Sequence, residues 1–381
     1  MYTVLTHGEL IADKVRTGAY PEALRATVTS DSAVLDIGTG TGFLALLACR
    51  FGARKVYAVE PDDVIELARE IARANGYSDR IEFIQDLSTN VTLPEKIDVI
   101  VSDLHGVLPF FQHHIPAIID ARRRLLKPGG KLIPACETLW LAVADAPELY
   151  RYITNWEGNG LGLNLSSAQR VATNNMWKSR VRPEELLGTP KCWATLDYTQ
   201  IDSPNVSAEI ELNVARSGTG YGLSVWFDSV LAEGIGFSNG PGHPETIFGS
   251  LFLPWSKPIP FAEGDIIRVR MGANLVDEDY IFTWDTVVLA KGKADKVKAD
   301  FRQSTFFGTP LSAARLRKRA AHYLPEVNEE GEIDRFVLVA MKGKTSSEQI
   351  ARELTEQFPA RFTDVVDALT RVGELAVRYS R

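Results

Sequence analysis

Val34-Leu-Asp-Ile-Gly-Thr-Gly-Thr-Gly-Phe43, followed by Val56-Tyr-Ala-Val-Glu60, decides the architecture of the first part of the chain. An apolar run that ends in an acid and passes into three alternating glycines has the pattern of a buried parallel strand turning sharply into a helix. Glycine permits both the turn and the close approach of a ligand to the backbone. A second apolar run ends at Glu60, where a carboxylate can accept hydrogen bonds from both hydroxyls of a ribose. A dinucleotide fingerprint would carry its third glycine one residue later, where Phe43 stands, and would rest a pyrophosphate on the helix N-terminus. This loop instead suits an uncharged adenosine with an amino-acid tail, held by Asp36, Gly38, Gly40, Gly42 and Glu60.

Working outward, strand-like runs at 33–37, 55–59, 81–84, 97–102 and 130–134 alternate with amphipathic helical patterns at 62–75 and 115–126. That alternation is the signature of an α/β, doubly wound, Rossmann-like parallel sheet, expected over residues 1–144. Beyond Pro147 a polar and aromatic helical segment precedes short runs of period two at 208–214, 222–227 and 265–271. They predict an antiparallel β-barrel or sandwich over 145–290. The charged stretch 291–298 reads as a solvated connector. A small α+β unit is expected at 305–381: a strand at 333–341, a helix opening at Ser346, a second helix at 363–372 and a final strand at 375–379.

A chain of 381 residues is long enough for two or three separately buried cores. Its 42 Lys and Arg against 49 Asp and Glu leave a net charge of -7, which argues against a general nucleic-acid binder. Three scattered cysteines and no Cys/His cluster at ligand spacing predict neither disulfides nor a metal. No apolar run is long enough to span a bilayer, and a reducing cytoplasm is the expected compartment.

Thr6-His-Gly-Glu-Leu-Ile-Ala-Asp-Lys-Val-Arg-Thr17, with Tyr20 following, stands in register with the glycine loop. The two motifs together resemble the protein arginine methyltransferases, class I enzymes dependent on S-adenosylmethionine (SAM). The resemblance continues through Val99-Ile-Val-Ser-Asp103, Leu132-Ile-Pro134, Ser224-Val-Trp-Phe-Asp228 and Leu253-Pro-Trp-Ser-Lys257, about the first 290 residues. It implies SAM as methyl donor, S-adenosylhomocysteine (SAH) as product and no metal. Arg16 would pair with the SAM carboxylate, and Pro61, Asp86, Leu87 and Ser102 would join the cofactor site. It also implies a head-to-tail homodimer made by a helical arm near Trp156. Only six residues precede His7, so the helix that folds over SAM in the family is expected to be largely missing.

The departures from the family fall at the methyl acceptor. Where the family has a hairpin with two glutamates that grip a guanidinium, this chain reads Ser102-Asp-Leu-His-Gly-Val-Leu-Pro-Phe-Phe-Gln112. Asp103 falls on the first glutamate and Gln112 on the second, and the family's barrel histidine is replaced by Pro254. Methylation of a guanidino or amine nitrogen on a peptide or protein is the leading expectation. Two alternatives stand beside it: a natural-product peptide or small molecule activated by an Asp103/His105 acid/base pair, and a SAM-binding protein whose catalysis is weak. The acceptor loop lacks the Asn/Asp-Pro-Pro-aromatic motif of base methylation.

Residues 343–358 and 365–379 are similar to small winged-helix proteins of the PqqD type. That resemblance implies an exposed strand edge on which a peptide substrate could be captured.

Overall fold

The computed structural model describes residues 3–156, 162–343 and 345–380. The chain divides into two compact units, Met1–Pro310 and Leu311–Arg381.

The first unit opens with α1 (Val4–Ala12) and α2 (Lys14–Thr27), which leads into β1 (Ala33–Ile37), α3 (Phe43–Arg50), β2 (Lys55–Val59), α4 (Val64–Ala74), β3 (Ile81–Ile84), β4 (Ile97–Ser102), α5 (His114–Arg124) and β5 (Leu126–Ile133). All five residues of β1 are buried, as a central strand covered on both faces requires. The sheet order is β3-β2-β1-β4-β5, all parallel. After β3 the chain therefore crosses to the other side of β1. Ligands in such sheets bind beyond the carboxyl ends of the strands where the order reverses. The carboxyl ends of β1 and β4 carry Gly38 and Asp103.

From β5 the chain passes into β6 (Cys136–Ala144), then α6 (Pro147–Ile153), α7 (Ser166–Thr173), β7 (Trp177–Ser179), β8 (Lys191–Asp197), β9 (Val206–Asn213), β10 (Gly218–Ala232), β11 (Ile235–Ser238), β12 (Ser250–Phe261), β13 (Ile266–Val276), β14 (Asp279–Ala290) and β15 (Lys293–Phe301). These strands make two antiparallel sheets, β7-β12-β10-β6-β8 with β11 on β10, and β15-β14-β13-β9. Trp255 and Trp284 are fully buried in the core they share. The residues that follow Trp156, where the dimer arm was expected, are in part outside the described residues.

The charged stretch 291–298 is not a connector. It forms most of β15, paired antiparallel with β14 from Ala290↔Lys293 to Thr286↔Phe301. Lysines on an outermost strand discourage pairing with other chains, so their density there is an edge signature. Lys298 also bonds to the buried Asp265 at 2.7 Å. The first unit then continues to Pro310.

The second unit consists of α8 (Ala313–Lys318), α9 (Glu329–Met341), α10 (Ser347–Gln357) and α11 (Val365–Tyr379), and no strand occurs among its described residues. The strand expected at 333–341 is helical: Ile333, Phe336, Val337 and Ala340 recur at intervals of three and four, and Ile333 and Val337 are buried. Asn328 caps that helix by accepting from the Gly331 N–H at 3.0 Å. The strand expected at 375–379 is the last turn of α11, whose Ala368, Val372 and Leu375 line the small core. Among the described residues of the whole chain, no helix is long and apolar enough to cross a membrane.

Candidate active site

The glycine loop is built as its sequence requires. Gly38 and Gly40 adopt φ of 72° and 53°. A Cβ on Gly38 would lie 2.3 Å from Leu104, and one on Gly40 would lie 2.7 Å from the His7 ring. Glu60 Oε2 accepts from the Gly40 N–H at 3.0 Å, and its Oε1 from the Asp62 N–H at 3.1 Å. Asp36 Oδ2 accepts from Thr39 Oγ1 at 2.6 Å and from the Ala45 N–H at 2.9 Å. Its Oδ1 is buried with no partner. Burial pushes the Asp36 carboxyl up to about 7 and raises Glu60 as well.

Beside this loop lies a cavity of ≈ 410 Å³. Of the residues assigned from sequence, Gly38, Gly40, Glu60, Pro61, Asp86, Leu87 and Arg16, expected at the cofactor, and Asp103 and Gln112, expected at the acceptor, all line it. Asp36, Gly42, Ser102 and His105 are not in its wall. Gly42 opens α3 at φ 82°, and Ser102 is buried with its Oγ unpartnered. His7, Leu10, Ile11 and Phe43 are among the other lining residues, so α1 forms part of the cavity wall. The set fits SAM. It combines a glycine cradle whose conformation disfavours any Cβ, an acid at the end of β2 and an arginine for the amino-acid carboxylate, with the unpartnered Asp36 oxygen buried behind the wall. Among the described residues no group of His, Cys, Asp and Glu is arranged to hold a metal.

Arg16 is fixed by its helix. Asp13 caps α2 and accepts from the Arg16 N–H at 3.2 Å, and Arg16 then pairs through Nε with Asp103 Oδ2. Asp103 Oδ1 faces His105 Nδ1 at 2.9 Å and the Tyr20 hydroxyl at 3.2 Å. His105 Nε2 lies 2.5 Å from Glu137 Oε1, and the Tyr198 hydroxyl donates to Glu137 Oε2 at 2.5 Å. His114 Nε2 meets the same hydroxyl at 3.2 Å. His105 was expected at the acceptor; at 1% exposure it is buried and outside the cavity wall, stacked on Phe227 with ring centroids 5.4 Å apart.

Burial opposes charge on His105, but Glu137 and Asp103 outweigh it and push the imidazole up to about 10. Burial likewise works against Asp103 and Glu137, yet Arg16 and His105 hold Asp103 below its ordinary range, and His105 does the same for Glu137. Burial and then the His105 charge bring His114 down to about 4. Sequence reading missed Glu137 and Tyr198. The signal for Glu137 was available: alternation along β6 puts it on one buried face with Leu139, Leu141 and Val143, an acid among core positions.

The sheet order, the glycine cradle and the following antiparallel sheets define the class as a SAM-dependent methyltransferase. A sequence profile for ribosomal protein L11 methyltransferase (PrmA) matches residues 18–135. Protein arginine N-methyltransferase 6 of Xenopus tropicalis is 32% identical over 236 residues, covering 59% of this chain and 69% of that protein. The probable protein arginine N-methyltransferase 6 of Arabidopsis thaliana is 29% identical over 231 residues, 58% of this chain and 53% of its own length. In three dimensions the chain is similar to the Trypanosoma brucei PRMT1 enzyme-prozyme heterotetrameric complex with AdoHcy, with a TM-score of 0.71 at 24% identity over 78% of this chain and 96% of that one. The chain belongs to the protein arginine N-methyltransferase family.

Proposed function

We propose that the chain transfers the methyl group of SAM to a guanidino nitrogen of arginine in a peptide or protein. The observation that carries this reading is Asp103: a carboxylate at the end of β4, in the wall of the same cavity as Glu60 and Arg16. When bound, SAM supplies an already activated methyl electrophile, so proximity, orientation and exclusion of water are the main tasks left to the protein.

Glu60 would accept from the ribose hydroxyls, Arg16 would bind the amino-acid carboxylate, and Asp103 would accept from the guanidinium N–H groups. Gln112, exposed at φ 43° on the rim, would add an uncharged carbonyl acceptor. Replacing one carboxylate by an amide weakens a guanidinium clamp by about 1 to 3 kcal/mol in a desolvated site. The reading in which His105 removes the acceptor's proton is disfavoured, because both ring nitrogens face carboxylates.

A homodimer through the α6–α7 segment fits the exposure of Tyr152 and Trp156. Recruitment of a peptide by the second unit would use helix surface rather than a strand edge, for instance around Val366 and Val377 of α11. The test is release of SAH on incubation with SAM and an arginine-rich peptide, with an otherwise identical lysine peptide as control. Turnover confined to the arginine peptide supports the reading. Tight SAM binding without turnover on either peptide sinks it and leaves a SAM-binding protein.

A further inference from the structure

We propose that Glu137 is a positioning residue for methyl transfer: acting through His105, it locks the Asp103 carboxylate against the cavity so that one rigid carboxylate does the holding. The inference rests on Asp103 being the acceptor carboxylate.

The geometry determines the charge state. Both nitrogens of His105 face carboxylate oxygens, Asp103 Oδ1 at 2.9 Å and Glu137 Oε1 at 2.5 Å, and a carboxylate only accepts. An imidazolium, a donor at both nitrogens, satisfies the pair. Tyr198 spends its hydroxyl proton on Glu137 Oε2 and accepts in turn from His114, which makes His114 a neutral ring protonated at Nε2. The groups that face His105 include Asp103 on its own loop, Glu137 from β6, and His114 from α5 at a centroid distance of 5.8 Å. Tyr198 lies one bond beyond Glu137, and Tyr20 and Arg16 of α2 lie beyond Asp103. Phe227 and Phe248 flank the ring without charge.

A purely structural role accounts poorly for this arrangement. Glu137 and His105 are 0% and 1% exposed, and buried ion pairs seldom stabilise more than apolar side chains of the same volume. The network meets the cavity at Asp103, Arg16 and His114. The His105 donor on Oδ1, with the Tyr20 hydroxyl shared between that oxygen and the Ser102 carbonyl, restrains Asp103 from rotating. Once Arg16 is drawn to the SAM carboxylate, Oδ2 is left to face the acceptor. Rigidity then offsets the carboxylate lost at Gln112, since a preorganised acceptor pays less to bind.

Glu137→Gln keeps the shape and removes the charge that holds His105 protonated. The variant is expected to bind SAM as the wild type does. Its KM for an arginine peptide should rise roughly tenfold, and its rate should fall as pH rises through 7 to 8, where the wild type stays level. Tyr198→Phe, which removes one donor but keeps the Glu137 charge, should leave the profile level through pH 7 to 8, and Glu137→Asp should restore part of what Glu137→Gln loses. An unchanged KM and pH profile in a folded Glu137→Gln protein overturns the proposal. Nitrogen NMR of the His105 ring reads the charge without turnover: a wild-type ring that titrates near its ordinary 6.5 also overturns it. A wild type that turns over no arginine peptide, with His105 still charged at pH 8, overturns the arginine reading and the acceptor role of this network together. The charge pair then stands as an observation without that function.

Discussion

Arg16 pairs through its Nε with Asp103 Oδ2, so the side chain assigned to the cofactor's carboxylate and the one assigned to the acceptor hold each other. Both are nearly buried, at 6% and 5% side-chain exposure, and neither has water to fall back on. SAM would offer Arg16 a second carboxylate, and an exchange of partners would free Asp103 Oδ2 toward the acceptor.

Acceptor binding should therefore depend on cofactor. Calorimetric titration of an arginine peptide is expected to give affinity at least about tenfold tighter with saturating SAH than without it, the equivalent of one lost charge-assisted hydrogen bond. Equal affinities would mean that Arg16 does not exchange partners.

Glu60 holds the loop and would hold the ribose with the same carboxylate. Glu60→Gln removes the charge and turns one acceptor into a donor facing the N–H of Gly40 or Asp62. We expect SAM affinity to fall about 10- to 100-fold, the value of a charged hydrogen bond, with the thermal midpoint changed far less. Fluorescence titration and thermal denaturation of the same preparation separate the two effects.

Much of this half of the site was legible because its determinants are local. Gly38, Gly40 and Asp36 fall within five residues, and Glu60 closes the next strand at a fixed distance. Glu137 is 32 residues from His105 and Tyr198 is 61 from Glu137; the pairing of β6 with β8 brings Glu137 beside Tyr198, and the loop after β4 brings His105 to Glu137, which no spacing announces. The second unit misled for another reason. Phe336-Val-Leu-Val-Ala340 is dense in β-formers, and only the positions buried in the fold, Ile333 and Val337, disclose a helix period inside it.

Asp36 gives SAM binding a pH dependence whose sign can be worked out. Its folded carboxyl titrates at about 7, well above the ordinary 3.8. Asp36 lies behind the cavity wall, so the cationic groups of bound SAM would favour its ionised form at a distance, and binding would release a proton below that point. Affinity should rise as pH increases from 5.5 through about 7 and then level off. Isothermal titration across this range checks it, and Asp36→Asn should flatten the curve at the weaker end. A wild-type affinity independent of pH would place the Asp36 titration outside the binding equilibrium.

Gly40 is held at φ 53° against the His7 ring, so Gly40→Ala imposes two penalties at once. The left-handed conformation costs a side chain about 1 to 2 kcal/mol, and the new Cβ must displace the His7 ring of α1 from the cavity wall. Reduced SAM affinity with faster dissociation is expected, measured by stopped-flow fluorescence. Dissociation at the wild-type rate would show that α1 does not retain the cofactor.

Gln112 offers the most direct test of the acceptor assignment. It sits on the cavity rim at φ 43°, where the family resemblance expects a second glutamate, and the buried charges behind it sum to near neutrality: Arg16 and His105 against Asp103 and Glu137. Gln112→Glu adds a carboxylate at an exposed position, where desolvation is small and folding is little affected. If Asp103 and residue 112 together grip a guanidinium, kcat/KM for an arginine peptide should rise about tenfold, since each 1.4 kcal/mol of added transition-state binding is worth that factor. The gain should vanish in the double variant with Asp103→Asn, because a lone rim carboxylate cannot orient the nitrogen toward the cavity. A Gln112→Glu protein that loses activity on arginine peptides would instead mean that the neutral amide is matched to its acceptor.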